Sequence, residues 1–363
     1  MNLILPTITA LILSYALVPL MLKLANKYRC YDNANERKIH SGVKPYLGGG
    51  AIFLAFNIAC LLFLPRDVKM LILLAGGAFY FLLGLLDDRF DLPAKLKLVL
   101  ELLATTLVVW LGLKNGLLLE NPFGAIADDS VFIWLSIPFY VLWIVGVANA
   151  VNLIDGLDAL ASGAMIIAAV SLSVASLFSP AIALSPYLLV LIGSIAGFIR
   201  FNLYPSKIIM GDNGALFLGY TIAFISLVSF ASHDRSIFLS LIPPAMALFV
   251  PILDILLAVV RRGRNGKRIF SADKGHFHHL LLERGFSHPK AVRIIWGLCA
   301  AFGTVSLLLS ELIYKQVYLA LALLALVLTW SIYSAASFGL MAKTAKTGPA
   351  EQVAAGQDQP GAL

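Results

Sequence analysis

Charge is scarce in this chain: Asp, Glu, Lys and Arg make up 13% of its 363 residues, against about 25% in a soluble domain. Apolar residues reach 60%, above the roughly 45–50% of soluble proteins, so an ordinary water-soluble globule is excluded. Cysteine is scarce too. Cys30, Cys60 and Cys299 are odd in number and scattered, which excludes a disulfide framework. The opening MNLILP lacks a basic n-region, and no small-residue cleavage site follows it. The first apolar run is therefore read as a retained span, not a signal peptide.

What the chain has instead is long apolar runs. A bilayer needs about 20 residues per helix, and runs near that length stand at about 2–24, 46–64, 69–86, 97–113, 132–149, 158–178, 186–201, 213–231, 237–260, 292–311 and 317–340. The expectation is an all-α, polytopic integral membrane protein with about 11 transmembrane helices. Residues 1–341 form a single catalytic domain, and residues 342–363, rich in Gly, Pro, Gln and Ala, form a disordered tail.

Lys and Arg are retained on the cytoplasmic side. Connections at about 25–45, 87–97, 150–157, 200–212 and 261–291, with flanking Lys23, Arg293, Lys343 and Lys346, hold 22 of the 27 basic residues. The other five are Arg66, Lys69, Lys114, Arg235 and Lys315. This places the N-terminus outside and the C-terminus in the cytoplasm. The same bias accounts for the net charge of +7, so it gives no reason to expect nucleic acid.

The acidic and amide side chains gather on that inner side. LGLLDDRFDLPAKLKL carries Asp87, Asp88 and Asp91; NAVNLIDGLDALASG carries Asn149, Asn152, Asp155 and Asp158; FNLYPSKIIMGDNGALFLG carries Asn202 and Asp212; PILDILLAVVRRGR carries Asp254. FSADKGHFHHLLLERGF adds His276, His278 and His279. A carboxylate at the bilayer centre costs about 2.5–3.5 kcal/mol. Four would cost on the order of 10 kcal/mol, as much as a whole fold is worth, so these groups must line a water-accessible cleft containing a cation.

Each motif alone has a plain structural reading. Asp87 and Asp88 suit a helix end or a pairing with Arg89 and Lys95, while Asn152, Asp155, Asp158 and Asp212 suit helix capping. Asp254 suits a pairing with Arg261 or Arg262. The H-x-H-H spacing suits a metal, but Arg261, Arg262, Arg264, Lys267, Arg268 and Lys274 surround it, so an anion such as phosphate is the better partner. It is the convergence on one face that points to chemistry. Clustered Asp and Asn oxygens suit Mg²⁺, with Mn²⁺ as the alternative, bridging carboxylates to phosphates. Basic and imidazole groups then suit the rest of a diphosphate. A cleft at the hydrocarbon boundary lets a membrane lipid present its phosphate to a cytosolic nucleotide. A phosphate monoester, with a second pKa near 6, is already largely dianionic at neutral pH, and phosphoryl transfer needs mainly alignment and charge neutralisation.

In order along the chain, ERKIHSGVKPYLGGG, LLDDRFDLPAKLKL, NAVNLIDGLDALASG, RFNLYPSKIIMGDNGALFLGY, PILD and DKGHFHHLLLERGFS resemble the inner-loop motifs of the polyprenyl-phosphate N-acetylhexosamine-1-phosphate transferases. The resemblance covers about Asp32 to Trp330. It implies an eleven-helix enzyme of the bacterial inner membrane, active on its cytoplasmic side. The reaction implied is transfer of a sugar 1-phosphate from a UDP-N-acetylhexosamine, UDP-GlcNAc first, to undecaprenyl phosphate, with release of UMP. It also implies roles: Asp212 and Asn152 as Mg²⁺ contacts; Asp87, Asp88 and Asp155 as the catalytic set, with Asp87 the proposed base; and Asn149, Asp158, Asn202, His276, His278 and His279 on the substrates. A homodimer is left open.

HFHHLLLERGFS resembles the branch that starts O-antigen, enterobacterial common antigen or teichoic-acid linkage units; the phospho-MurNAc-pentapeptide transferase branch typically has three consecutive histidines. The chain departs from the family pattern at Ala159, where Gly is usual, at Ala215, where Ser is usual, and at Ala272-Asp273-Lys274, where Pro-Asp-Arg is usual. The rival classes are a nucleotide-sugar or lipid-carrier transporter, whose sites would sit near the midplane, and a CDP-alcohol phosphotransferase, whose motif wants Arg where Leu160 stands.

Overall fold

The computed structural model describes residues 3–32, 44–118, 129–176, 185–230, 237–266 and 275–315. It has two compact units, Met1–Glu311 and Leu312–Leu363, and the first carries every inner-side motif. Helices α1 (Ile4–Tyr28), α2 (Gly48–Phe63), α3 (Val68–Phe90), α4 (Ala94–Lys114), α5 (Asp129–Ile154) and α6 (Leu160–Ala175) are followed by α7 (Ser185–Asn202), α8 (Gly211–Phe230), α9 (Ile237–Ala247), α10 (Phe249–Arg264), α11 (Phe277–Glu283) and α12 (His288–Lys315). The only strands among the described residues are β1 (Tyr31–Asp32) and β2 (Lys44–Pro45), paired antiparallel.

Seven of these helices are long and apolar enough to cross a membrane, and the bent pair α9–α10 makes up to eight if it is counted as one span. Helices α2 and α6, at 16 residues each, are apolar but shorter. The first ten predicted runs each coincide with a helix or the bent pair. The eleventh, 317–340, and the tail lie outside the described residues.

Helix boundaries differ from the expectation in one consistent way: helices run on through polar residues that hydropathy assigns to connections. Helix α3 reaches Phe90, α5 reaches Ile154, and α8 begins at Gly211, so Asp87, Asn152 and Asp212 are helical. Tertiary packing holds these last turns where apolarity gives out. Helix α3 stops because Asp91 turns left-handed at φ 49° and Pro93 follows, whose ring disfavours a helical residue before it. The run 237–260 is broken: α9 and α10 meet at 82° after Pro243 and Pro244.

Helix α8 is the axis of the fold, buried on every side. Helices α3, α5 and α2 pack around it. Tyr220 on α8 stacks on Tyr80 of α3 at 4.9 Å and donates its hydroxyl proton to Ile72 O at 3.1 Å. Leu, Ile, Val and Trp side chains stand exposed on the outer faces of α1, α3 and α4. In water such faces would be an aggregation hazard; in a multi-pass membrane protein they face lipid.

Candidate active site

The N-terminus of α8 is where the predicted motifs meet. Gly84 of α3 makes the approach possible, since a Cβ there would lie 2.4 Å from Asp212 O. Asp88, at the end of α3, then caps α8: its Oδ1 accepts from Asp212 N at 3.0 Å, and its Oδ2 from Asn213 N at 3.0 Å and Asn213 Nδ2 at 2.6 Å. A carboxylate at a helix N-terminus satisfies otherwise unpaired N–H groups and faces the positive end of the dipole. Asp88 thus caps a helix distant in sequence rather than its own, and is spent on placing Asp212.

Asp87, one residue earlier, faces a different set. Lys97, from the first turn of α4, donates to Asp87 Oδ2 at 2.5 Å, Asp212 Oδ2 at 3.1 Å and Asn152 Oδ1 at 3.4 Å. Asn152 Nδ2 closes the ring by donating to Asp212 Oδ1 at 2.9 Å. The ends of α3 and α5 and the start of α8 therefore surround one ammonium, from the start of α4, with oxygen. Asp212 is its open side, with 39% of the side chain exposed against 10% for Asp87.

One turn further along α4, Glu101 is fully buried. Its Oε2 accepts from Asn149 Nδ2 at 2.5 Å, and Asn149 also donates to Val145 O. Oε1 of Glu101 has no hydrogen-bond partner. Asn149, expected on substrate, is thus engaged inside the helix bundle.

The α5–α6 connection carries two aspartates with opposite surroundings. Asp158 is bound by Lys44 Nζ at 2.8 and 2.9 Å, by Ser206 N at 3.0 Å and by Ser206 Oγ at 2.8 Å. Burial pushes its carboxyl up, but the Lys44 and Ser206 donors outweigh burial and hold it below the usual carboxylate range. Asp155 is half-buried and receives no hydrogen bond from any described side chain. Burial first, then the negative charges of Asp212 and Asp158, push its pKa up to about 8. A carboxyl that keeps its proton at neutral pH can donate a hydrogen bond to a phosphate or sugar oxygen.

Asn202 is consumed internally. Its Oδ1 accepts from Ala159 N and Ser162 Oγ at 3.0 and 2.9 Å, and its Nδ2 donates to Ile208 O at 3.1 Å. It holds Ala159 left-handed at φ 64°, the position where the family usually has Gly.

The histidines form a second group. Asp254 receives His276 Nδ1 at 2.9 Å and Phe277 N at 3.0 Å, so it orients His276 and starts α11. His278 lies against the Asp155 loop: a Cβ on Gly156 would fall 2.3 Å from its Nε2. Burial, then its neighbours His279, His276 and His288, push the His278 pKa down to about 3, so its ring is neutral. His278 and His279 are 4.3 Å apart between ring centres. Lys267, Arg268 and Ala272 to Lys274 lie outside the described residues.

Among the described residues no three His, Cys, Asp or Glu side chains are grouped to hold a metal. Two carboxylates and an amide do converge, with an ammonium standing among them where a cation would sit. Mg²⁺ keeps several waters and commonly takes only one or two carboxylates besides substrate phosphates, so Asp87, Asp212 and Asn152 fit it. Sequence reasoning missed Lys97, Glu101, Lys44, Ser206 and His288, which accepts from Asp158 N at 3.2 Å. A lone Glu in the apolar run KLVLELLATTLVVW was a readable signal, because ionisable groups within spans are rarely incidental.

Comparison with known proteins matches residues 70–230 to the family described as Glycosyl transferase family 4. A Bacillus subtilis protein described as a probable undecaprenyl-phosphate N-acetylglucosaminyl 1-phosphate transferase is 34% identical over 305 residues, 84% of each chain. A decaprenyl-phosphate N-acetylglucosaminephosphotransferase of Mycobacterium leprae is 34% identical over 82% of each chain. A phospho-N-acetylmuramoyl-pentapeptide-transferase of Halalkalibacterium halodurans is 29% identical over 88% of this chain and 98% of its own.

Proposed function

This chain belongs to glycosyl transferase family 4, as the polyprenyl-phosphate N-acetylhexosamine-1-phosphate transferases do. On that premise we propose that it is a phosphotransferase moving N-acetylhexosamine 1-phosphate from a UDP-sugar, UDP-GlcNAc first, to undecaprenyl phosphate. UMP leaves, and the lipid product starts a cell-envelope glycan. The observation that carries the proposal is the oxygen ring of Asp87, Asn152 and Asp212 around a cation at one end of the helix bundle. The relatives named for GlcNAc phosphotransfer favour GlcNAc over the muramoyl-pentapeptide donor.

In this reading Asp212, Asn152 and Asp87 would hold Mg²⁺, which would supply positive charge to neutralise the diphosphate. With the metal absent, the Lys97 ammonium neutralises the same ring of oxygens. Asp155 donates from its protonated carboxyl to the diphosphate, and the neutral imidazole of His278, with His276 and His279, takes the phosphate or sugar side. The acceptor phosphate attacks as a dianion, so Asp87 is not obliged to act as a base. Asp88, Asp158 and Asn202 hold these groups in place without touching substrate. The full topology is eleven spans, N-terminus outside, with the site on the cytoplasmic side of the bacterial inner membrane.

The test is UMP release by the purified protein in detergent with undecaprenyl phosphate, comparing UDP-GlcNAc with UDP-GalNAc, with and without Mg²⁺. Mg²⁺-dependent release, greater with UDP-GlcNAc, is expected. No UMP from either donor, in a sample shown to be folded, would contradict the proposal.

A further inference from the structure

The ammonium of Lys97 stands where the proposed divalent cation must go. It touches Asp87, Asp212 and Asn152 at once, and two cations do not share one ring of oxygens. The ammonium therefore needs a second position. Lys97 and Glu101 are four residues apart on α4, so they lie on one face with Cβ atoms about 5–6 Å apart. Helical side chains lean toward the N-terminus, which carries the Glu101 carboxylate back toward Lys97. Glu101 is fully buried, its Oε2 is anchored by Asn149, and its Oε1 has no hydrogen-bond partner. A buried acceptor left unpaired costs about 1–3 kcal/mol, more when charged. Among the described residues no donor reaches that oxygen.

We propose that Glu101 is the second station of the Lys97 ammonium: when a divalent cation enters the Asp87, Asn152 and Asp212 ring, Lys97 swings one turn along α4 to the unpaired Oε1 of Glu101. Glu101 is thus a positioning residue that makes room for the metal without stranding a buried positive charge. The inference rests on the divalent-cation reading above. It gives Asn149 a purpose as well, fixing the carboxylate that receives the ammonium.

The experiment is Mn²⁺ binding to the purified full-length chain in detergent, with neither nucleotide nor lipid, read from the free-ion EPR signal. Glu101→Gln keeps the volume and the bond from Asn149 but removes the charge. It is expected to weaken Mn²⁺ binding by about tenfold or more, with the roughly thousandfold effect of a close charge pair at an effective dielectric of about 20 as the ceiling. Lys97→Met, which removes the competing ammonium, is expected to tighten binding. In the Lys97→Met background the Glu101→Gln loss is expected to shrink by about tenfold, because there is no ammonium left to receive. An unchanged affinity in Glu101→Gln overturns the proposal. So does an equal loss in both backgrounds, since Glu101 would then act only as a remote negative charge. Should Glu101→Gln not fold, Glu101→Asp retracts the charge by one methylene and must bind Mn²⁺ more weakly than the unaltered protein; unaltered affinity there contradicts the proposal. Absence of Mn²⁺ binding to the unaltered chain overturns both this and the metal site. Binding that is lost in Asp212→Ala but indifferent to Glu101 overturns this inference alone.

Discussion

Asp212 and Asp158 both sit at the same end of the bundle, each beside a lysine, yet one pairing is open and the other closed. Around Asp158 every bond is a tie between chain segments: Lys44 from β2, Ser206 from the α7–α8 connection and His288 from α12. Around Asp212 the ammonium is shared by three oxygens, and the carboxylate keeps an exposed side. Asp88 and Asn202 belong with Asp158, their polar atoms taken up by backbone groups. Identical residue types in neighbouring motifs thus divide into groups still available to a ligand and groups already used to build the site. What separates them is how many of their hydrogen bonds the protein itself supplies.

The comparison is broken most sharply at its two poles. Asp212→Asn is expected to lower UMP release by about 10²–10³-fold, the scale of losing one preorganised electrostatic contact, with no change in thermal unfolding. Lys44→Met is expected to do the reverse. It leaves Asp158 buried and short of its counter-ion, at a cost of about 3 kcal/mol, the low end for breaking a buried pair because Ser206 remains. Asp158 has a depressed pKa in the folded protein, so its stabilisation is present above the ordinary carboxylate pKa and is lost as pH falls through the lower folded value. The gap in unfolding temperature between Lys44→Met and the unaltered protein should therefore close on acidification below about pH 4; a gap that persists would mean that Lys44 acts by packing alone.

The histidine group sharpens the contrast on a smaller scale. His278 is held neutral, with its folded pKa near 3. The stability this confers is present above the unfolded value near 6.5 and declines as pH falls below it, by about 2 kcal/mol at pH 5. His278→Gln should lose correspondingly less thermal stability between pH 7 and pH 5, and an equal loss would show that the ring is not buried as a neutral group. The smallest effect is expected at Ala159, left-handed at φ 64°. Ala159→Gly removes the steric penalty of that conformation while adding freedom to the unfolded chain, for a net gain of about 0.5–1 kcal/mol. A loss of stability there would mean that Asn202 and Ser162 relieve the strain entirely.

The sequence carries the helices well, because apolar runs of membrane length admit few other readings. It carries the gathering of Asp and Asn at one end of the bundle equally well, since the uneven spread of Lys and Arg sorts the connections independently of those residues. What it does not carry is which acid meets which base. Asp87 finds Lys97 rather than the nearer Arg89 or Lys95, and Asp88 caps a helix 124 residues away. Such pairings depend on the close crossing of α3 and α8 at Gly84, which no local pattern announces. Hydropathy also ends α5 too early, because Asn152 looks like part of a connection until its partners on α4 and α8 are in place. The roles implied for Asp158 and Asn202 on substrate sit beside a structure that already satisfies both side chains.

The most direct measurement is UMP release per mole of folded protein for Asp212→Asn and Asp158→Asn side by side, with folding followed by thermal unfolding in the same detergent. The account predicts that Asp212→Asn unfolds as the unaltered protein does but releases at least about a hundredfold less UMP. It predicts that Asp158→Asn unfolds at lower temperature yet stays within about tenfold of full turnover for the molecules that remain folded, since a residue acting only through structure affects mainly the folded population. Equal losses of turnover in the two folded variants would contradict the division between available and committed carboxylates.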